Sequence, residues 1–204
     1  MIFRCFTYNK FKERKWKRLS PEKRLKVFQK LENIQAKKQH RPACRVFVSN
    51  MEENSNGVHH SADNTIELNS RFVHFPERRF YGMATLFHEG RHAFQHKAVT
   101  QEKVCIFSRA YRWKKNFQGY TSTDDDKYSF YSMQPVERDA NLYAIRRMKR
   151  FRFRYRNEPL FRRTLQDKIS QFAGVKEYAK KELGTFYGLR VAYKNFKNRK
   201  DNEK

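Results

Sequence analysis

The sequence predicts an α+β fold that is mostly helical, with a small antiparallel sheet ahead of one central helix. Apolar residues recur at helical spacing over much of the chain. Two short segments with the composition of strands, 43–49 and 64–69, precede the central helix. The length of 204 residues suits one domain with a substantial core. We therefore expect a single domain over residues 1–204.

The first helix is predicted over about residues 21–37. Ser20 is suited to cap its N-terminus, Pro21 to fill its first position, and Glu22 supplies an acid in the first turn. Five apolar residues follow at helical spacing, namely Leu25, Val27, Phe28, Leu31 and Ile34. This spacing indicates one buried face.

Two strands are predicted after this helix, over residues 43–49 (ACRVFVS) and 64–69 (NTIELN). The intervening segment 51–61 is polar and contains a glycine, which favours a loop. We expect the two strands to pair as an antiparallel hairpin with a long connection.

The rest of the chain is predicted to be largely helical. The central helix begins near Pro76 and continues to about Lys97, and another helix begins at Pro135 and ends near residue 150. The remaining predictions are helices within 100–117, 159–172 and 175–197, a loop over 118–134, and a strand or frayed helix end over 151–155.

The central helix carries the motif HEGRH at residues 88–92. Histidines at i and i+4 lie on the same helix face with Cβ atoms about 5–6 Å apart, so His88 and His92 can bind one zinc ion. Glu89 lies beside them, where it can take a proton from a metal-bound water. The alternative is a pair of satisfied core histidines, but the flanking residues are poor in charge, and a buried carboxylate needs a partner.

A catalytic zinc needs a third protein ligand. His96 lies eight residues beyond His88, about 12 Å along the helix axis, which is too far for both to bind one ion. Glu137, at the start of a later helix, is the better candidate, with Asp139 and Asn141 as partners for the outer ring nitrogens of the histidines. Alternatively, Glu137 is only an acid favoured by the helix dipole.

Together, HEGRH and the segment ERDANLYA at 137–144 resemble the gluzincin branch of the zincin metallopeptidases, and more closely the ImmA/IrrE-type peptidases. The resemblance covers about residues 60–150 and departs from the family pattern at Gly90 and Arg91. It implies a zincin-like fold, one zinc ion per chain and hydrolysis of a protein or peptide substrate. It also implies that the strand at 64–69 lines the cleft and pairs with the substrate.

An oxyanion stabiliser often complements the metal in such sites. Tyr131 is our first candidate, and Tyr120 and Tyr128 lie in the same predicted loop. For each of them, ordinary aromatic packing is the simpler interpretation.

The net charge of +25 is concentrated at the two ends of the chain. Residues 1–45 hold 15 Lys or Arg and 3 acids, residues 146–204 hold 19 and 6, and residues 46–145 are neutral. Such flanks favour nucleic acid or another polyanion, or simply form a solvated surface. In the segment RRMKRFRFRYR at 146–156, the aromatics either bind nucleic acid bases or pack inward.

The sequence thus predicts a zinc-dependent endopeptidase with Glu89 as general base. The alternatives are a basic nucleic-acid-binding protein with a structural metal, or a peptidase recruited to nucleic acid. Cys5, Cys44 and Cys105 are odd in number and widely spaced, which suggests free thiols and a cytoplasmic location. No apolar run is long enough to span a membrane.

Overall fold

A computed structural model describes residues 7–100, 105–120 and 128–183. The chain is α+β and mostly helical, with one three-stranded mixed sheet. The strands are β1 (Arg45–Ser49), β2 (Gly57–His60) and β3 (Thr65–Asn69). The helices are α1 (Glu13–Trp16), α2 (Pro21–Lys38), α3 (Arg71–His74), α4 (Arg79–Val99), α5 (Arg109–Gln118), α6 (Tyr128–Met133), α7 (Pro135–Lys149) and α8 (Pro159–Leu183).

The predicted antiparallel hairpin is wrong, because β3 is the central strand and pairs in parallel with β1. Its antiparallel partner is β2, which lies in the segment predicted to be a loop. The extra strand reverses the chain once more, so β1 and β3 point the same way. Sequence patterns missed β2 because it has only four residues and two of them, His59 and His60, are polar.

Helix predictions based on capping residues agree well with the structure. The Ser20 hydroxyl accepts a hydrogen bond from the backbone N–H of Lys23 at 3.4 Å, and α2 ends at Lys38. The predicted helix at Pro135 is α7. The central helix is α4, preceded by a 3-10 turn at Pro76–Arg78.

Other boundaries differ from prediction. The described part of 118–134 contains the short helix α6, and the two helices predicted after residue 159 form one helix, α8, up to residue 183. Residues beyond 183 lie outside the described part of the chain. Residues 151–157 form turns and neither a strand nor a helix end.

The main core surrounds α4 and is unusually rich in phenylalanine. Phe28, Phe72, Phe80 and Phe87 are fully buried. A Cβ atom at Gly82 would lie 2.7 Å from Cζ of Phe28 and 2.8 Å from Cβ of Phe72. The missing side chain therefore allows α4 to approach α2 and α3 closely, which positions the N-terminal half of α4 and the motif that follows it.

The two basic flanks pack against each other. The ring centroids of Tyr8 and Phe151 lie 4.5 Å apart, and the Tyr155 hydroxyl donates to the backbone carbonyl of Tyr8 at 2.6 Å. The core therefore draws on both ends of the described chain. The described parts of the two flanks are therefore in contact at Tyr8, although the neutral region separates them in sequence.

A buried ion pair joins α2 to the start of the sheet. Nη1 and Nη2 of Arg41 donate to the Glu32 carboxylate at 2.6 and 3.0 Å, and the side chains are 1% and 0% exposed. The same carboxylate accepts the backbone N–H of Cys44. Removing one partner of such a pair strongly destabilises the folded protein, because one charge is left uncompensated in the interior.

Cys44 is a buried free thiol, and burial together with the Glu32 charge raises its pKa to about 12. Cys105 is a free, exposed thiol, and Cys5 lies outside the described residues. Among the described helices, none combines the length and the apolar character needed to cross a membrane.

We predict that Glu32→Gln lowers the free energy of unfolding by about 3–5 kcal/mol, because Arg41 loses its only carboxylate partner. Glu13→Gln is the matched control, since Glu13 pairs with Lys17 on the surface, where such pairs contribute about 0–1 kcal/mol. Urea denaturation of both variants measures the difference. Equal effects of the two substitutions would contradict a structural role for the buried pair.

Candidate metal centre

Helices α4 and α7 bring two histidines and one glutamate together. Nε2 of His88 lies 3.0 Å from Nε2 of His92. The Glu137 carboxylate lies 3.2 Å from Nε2 of His88 and 3.3 Å from Nε2 of His92. These three residues are the one group of potential metal ligands found among the described residues.

The donor set fits zinc in both chemistry and spacing. Two imidazole nitrogens and a carboxylate oxygen are a common set for catalytic zinc. In a tetrahedral site with bonds of about 2.0–2.1 Å, neighbouring donor atoms are about 3.3 Å apart. The two histidine nitrogens are 3.0 Å apart, His88 lies 3.2 Å from Oε2 of Glu137, and His92 lies 3.3 Å from Oε1 of Glu137. The three side chains could therefore hold one metal ion.

Two of the three potential ligands are buried, since Glu137 is 1% and His92 9% exposed. Burial alone would raise the pKa of Glu137, but the charges and hydrogen bonds of His92 and His88 outweigh it and hold that pKa well below its usual value. Burial would likewise lower the pKa of His92, but Glu137 and Glu89 raise it to about 9. The site thus stabilises positive charge beside Glu137.

Glu89 is buried on the same helix, with 7% of its surface exposed. Burial raises its pKa, while the neighbouring charges of His88 and His92 oppose that rise. The backbone N–H of His59 in β2 also donates to its carboxylate. This bond links the edge strand of the sheet to the proposed base and orients it.

Gln95 supports His92 from one helical turn further on. Its side-chain oxygen lies 2.8 Å from Nδ1 of His92, and its amide donates to the backbone carbonyl of Val136 and to Asp139 at 2.9 and 3.0 Å. An acceptor at Nδ1 directs Nε2 toward the metal position. The i+3 spacing from His92 is the sequence signal that could have identified Gln95.

The two residues predicted to support the histidines have other positions. Asp139 accepts hydrogen bonds from Arg91 and Gln95, so it acts on His92 only through Gln95. Asn141 lines the adjacent cavity and has no hydrogen bond to either histidine within the described structure. Asp139 and Asn141 were predicted because they lie near Glu137 in sequence, whereas the residue that contacts His92 is Gln95 on the same helix as His92.

The motif residues Gly90 and Arg91, where the resemblance breaks down, have structural roles. A Cβ atom at Gly90 would lie 2.8 Å from Nη2 of Arg41, so the glycine makes room for the buried ion pair. Nε of Arg91 donates to Asp139 at 2.6 Å. The Arg91 guanidinium also lies 4.4 Å from the ring centroid of Phe94. Arg91 thus links α4 to α7 beside the metal ligands.

Two tyrosines lie next to Glu137. The Tyr120 hydroxyl donates to the Glu137 carboxylate at 2.6 Å and lies 2.9 Å from the Tyr131 hydroxyl. Burial, and then the charge of Glu137, raise the pKa of both phenols, so both remain protonated donors. Tyr131 also hydrogen-bonds to Glu137, so both tyrosines support the ligand, and sequence spacing carried no signal for these contacts. The side chain of Tyr128 lies outside the described part of the structure.

His96 lies away from the three ligands. It stacks on Phe117 at 4.2 Å between ring centroids and lies 5.4 Å from the ring of His59. Both ring nitrogens of His59 are buried without a hydrogen-bond partner within the described structure. Burial, reinforced by the nearby histidines, lowers the pKa of His59 to about 3, so the His59 ring stays uncharged at neutral pH.

A cavity of about 820 Å³ opens beside the three ligands. His88, Glu89, Tyr131 and Glu137 line it, together with residues of β2, α7 and α8. The resemblance implied that the strand at 64–69 would pair with the substrate, but β3 has strands on both sides. The exposed edge at the cavity belongs to β2, which was missed in the sequence.

No family profile, curated protein or solved structure matches the chain.

We predict a ranking of zinc affinities among three alanine variants. Glu137→Ala removes a ligand and should weaken binding by more than the roughly 10- to 100-fold expected for Gln95→Ala, which removes only a supporting partner. His96→Ala should bind like the wild type, because its ring packs on Phe117.

Competition with a chromogenic chelator, followed by metal analysis, measures this ranking. A loss of zinc in His96→Ala larger than that in Glu137→Ala would show that the ligand set is different.

Proposed function

We propose that the protein is a zinc-dependent endopeptidase that cleaves a protein substrate. One observation carries this proposal: His88, His92 and Glu137 could hold one metal ion, and His88 and Glu137 line a cavity of about 820 Å³ together with Glu89. A volume near the upper end of the usual range for ligand sites suits an extended segment better than a single amino acid.

The number of ligands favours a catalytic over a structural metal. Structural zinc is almost always held by four protein ligands, whereas catalytic zinc keeps one position open. The described residues supply three, and the site borders a cavity. A basic nucleic-acid-binding protein with a closed structural site would also have no use for Glu89 beside the histidines.

The residues around the ligands can perform peptide hydrolysis. Zinc, when bound, would polarise the scissile carbonyl and lower the pKa of water. Glu89 would take the proton from the attacking water and pass it to the leaving amine. Its hydrogen bond from His59 restrains the carboxylate.

Tyr131 lines the cavity and is protonated, so its hydroxyl is suited to donate to the developing oxyanion. Both tyrosines hydrogen-bond to Glu137, so Tyr131 would turn from this ligand to the oxyanion while Tyr120 holds the ligand in place.

The outer edge of β2 is suited to bind an extended substrate. The carbonyl of Asn56 pairs with the N–H of Asn69 in the sheet, and antiparallel pairing alternates, so the backbone groups of Gly57 and His59 point away from β3. Gly57 and Val58 line the cavity. The His59 N–H already donates to Glu89, so a substrate backbone could add as a further strand through Gly57 and the His59 carbonyl.

Lys168 on α8 gives this cavity a charge preference. It is the only Lys or Arg among the described residues that line the cavity, it is half-buried, and it forms no ion pair within the described structure. Burial lowers its pKa, and the nearby charges of Asp167 and Glu89 oppose that shift. Because a half-buried ammonium favours a negative partner, we propose that an acidic substrate side chain binds there.

We predict that Glu89→Gln retains the fold and the zinc but lowers the rate of cleavage by about 10²–10⁴-fold, because only proton transfer is lost. Fluorogenic denatured casein is the substrate for the assay, and metal analysis of the same samples is the control. Loss of zinc in this variant would make Glu89 a ligand, and retention of activity would exclude it as the base.

We predict that Lys168→Gln reduces cleavage near acidic residues while cleavage near neutral residues persists. Sequencing of the products from a mixed peptide library measures the preference. Lys176→Gln is the control, because Lys176 lies exposed on the same helix outside the cavity. An unchanged cleavage profile in Lys168→Gln would remove Lys168 from substrate binding.

A further inference from the structure

The turn that follows α7 is a dense cluster of exposed positive charge. Five basic side chains are exposed between the end of α7 and the start of α8, namely Lys149, Arg150, Arg152, Arg154 and Arg156. The nearby acid, Glu158, is already paired with Arg79 at 2.6 Å and accepts the backbone N–H of Glu13. The described part of the turn therefore exposes five basic side chains, and its nearby acid is paired with a residue outside the turn.

The aromatic residues of this turn divide into two kinds. Phe151 and Tyr155 are buried in the core, at 8% and 0% exposure. Phe153, between them, is 77% exposed, and the Arg152 guanidinium lies 5.3 Å from its ring centroid. An exposed phenylalanine contributes no free energy of burial to folding. A role in stabilising the fold therefore does not explain why this side chain is apolar. Its ring stands among arginines on the surface.

The N-terminal flank extends the same basic surface. Nη1 of Arg154 donates to the side-chain oxygen of Asn9 at 3.2 Å, which holds the two segments side by side. Exposed basic side chains on this flank are Lys12, Arg14, Lys15, Lys17 and Arg18. Of these, Lys17 is paired with Glu13 at 2.6 Å.

We propose that this surface binds single-stranded nucleic acid, with Phe153 stacked on an unpaired base and the surrounding arginines on the phosphates. An exposed aromatic ring within a basic groove or surface is the combination by which proteins hold single strands without sequence preference. This function is independent of the peptidase site.

A single strand suits the turn better than a duplex or an acidic membrane. In a duplex the base faces are stacked on one another, so the ring of Phe153 would have no base to contact. A membrane surface is bound through a broad apolar face, and this turn exposes one apolar ring among five charges. Arginine also stacks on bases through its planar guanidinium, which adds to the contact.

The basic turn lies at the end of α7 opposite to Glu137, about 18 Å away along the helix axis. Ala144, Ile145 and Met148, in the C-terminal half of α7, line the cavity between them. The proposed nucleic-acid surface and the metal centre therefore lie at opposite ends of α7.

Fluorescence anisotropy with labelled oligonucleotides tests this proposal, using 15-residue dT and rU strands and a duplex of the same length. Phe153→Ala should weaken binding to the single strands by about 5- to 100-fold, the range expected for the loss of one stacked base. Phe153→Tyr should restore binding. Phe107→Ala is the matched control, because Phe107 is 89% exposed at a distant position in the sequence.

The salt dependence of binding separates stacking from charge. Arg152→Gln should reduce the slope of log K against log salt by about 0.7, the value for one phosphate contact on a single strand. Phe153→Ala should leave that slope unchanged. Unchanged affinity in Phe153→Ala, or tighter binding to anionic phospholipid vesicles than to the single strands, would overturn the proposal. Neither measurement requires zinc or Glu89, so its outcome is separate from that of the peptidase assays.

Discussion

The burial of two carboxylates beside two histidines is the constraint on which the rest of the structure depends. Glu89 and Glu137 are 7% and 1% exposed, and an ionised carboxylate is costly in the interior without a positive partner. In the protein alone, that partner is His92, whose pKa is raised to about 9. A divalent cation would satisfy both acids more fully, because it supplies two charges at fixed distances. The three residues His88, His92 and Glu137 could therefore hold a metal ion whichever reaction the site supports.

Several parts of this arrangement could be predicted from sequence because they depend on local spacing. The i, i+4 histidines of HEGRH identify one face of α4, and Ser20 with Pro21 identifies the start of α2. Glu137 was predicted from its position at the start of α7 and from the family resemblance. Each of these features depends on a few neighbouring residues, and such local rules survive in the folded protein.

The features missed in the sequence depend on contacts between distant segments. The strand β2 is defined by its pairing with β3 rather than by its own pattern, and Tyr120 reaches Glu137 across a segment with no regular spacing. The alternation of arginine and aromatic residues in 146–156 left two interpretations open. The structure confirms inward packing for Phe151 and Tyr155, which are buried, whereas Phe153 is exposed.

The contacts between α4 and α7 couple the metal site to the folding of the chain. Arg91 and Gln95 reach Asp139, and Gln95 also reaches the backbone at Val136, so the ligands converge only when α7 is docked. An ion that binds this docked state alone would stabilise it by mass action, in proportion to the logarithm of the free ion concentration. The availability of metal would then determine how long the newly made chain remains accessible to cellular proteases. A bound ion would then promote maturation of the chain, in addition to any part it takes in the proposed reaction.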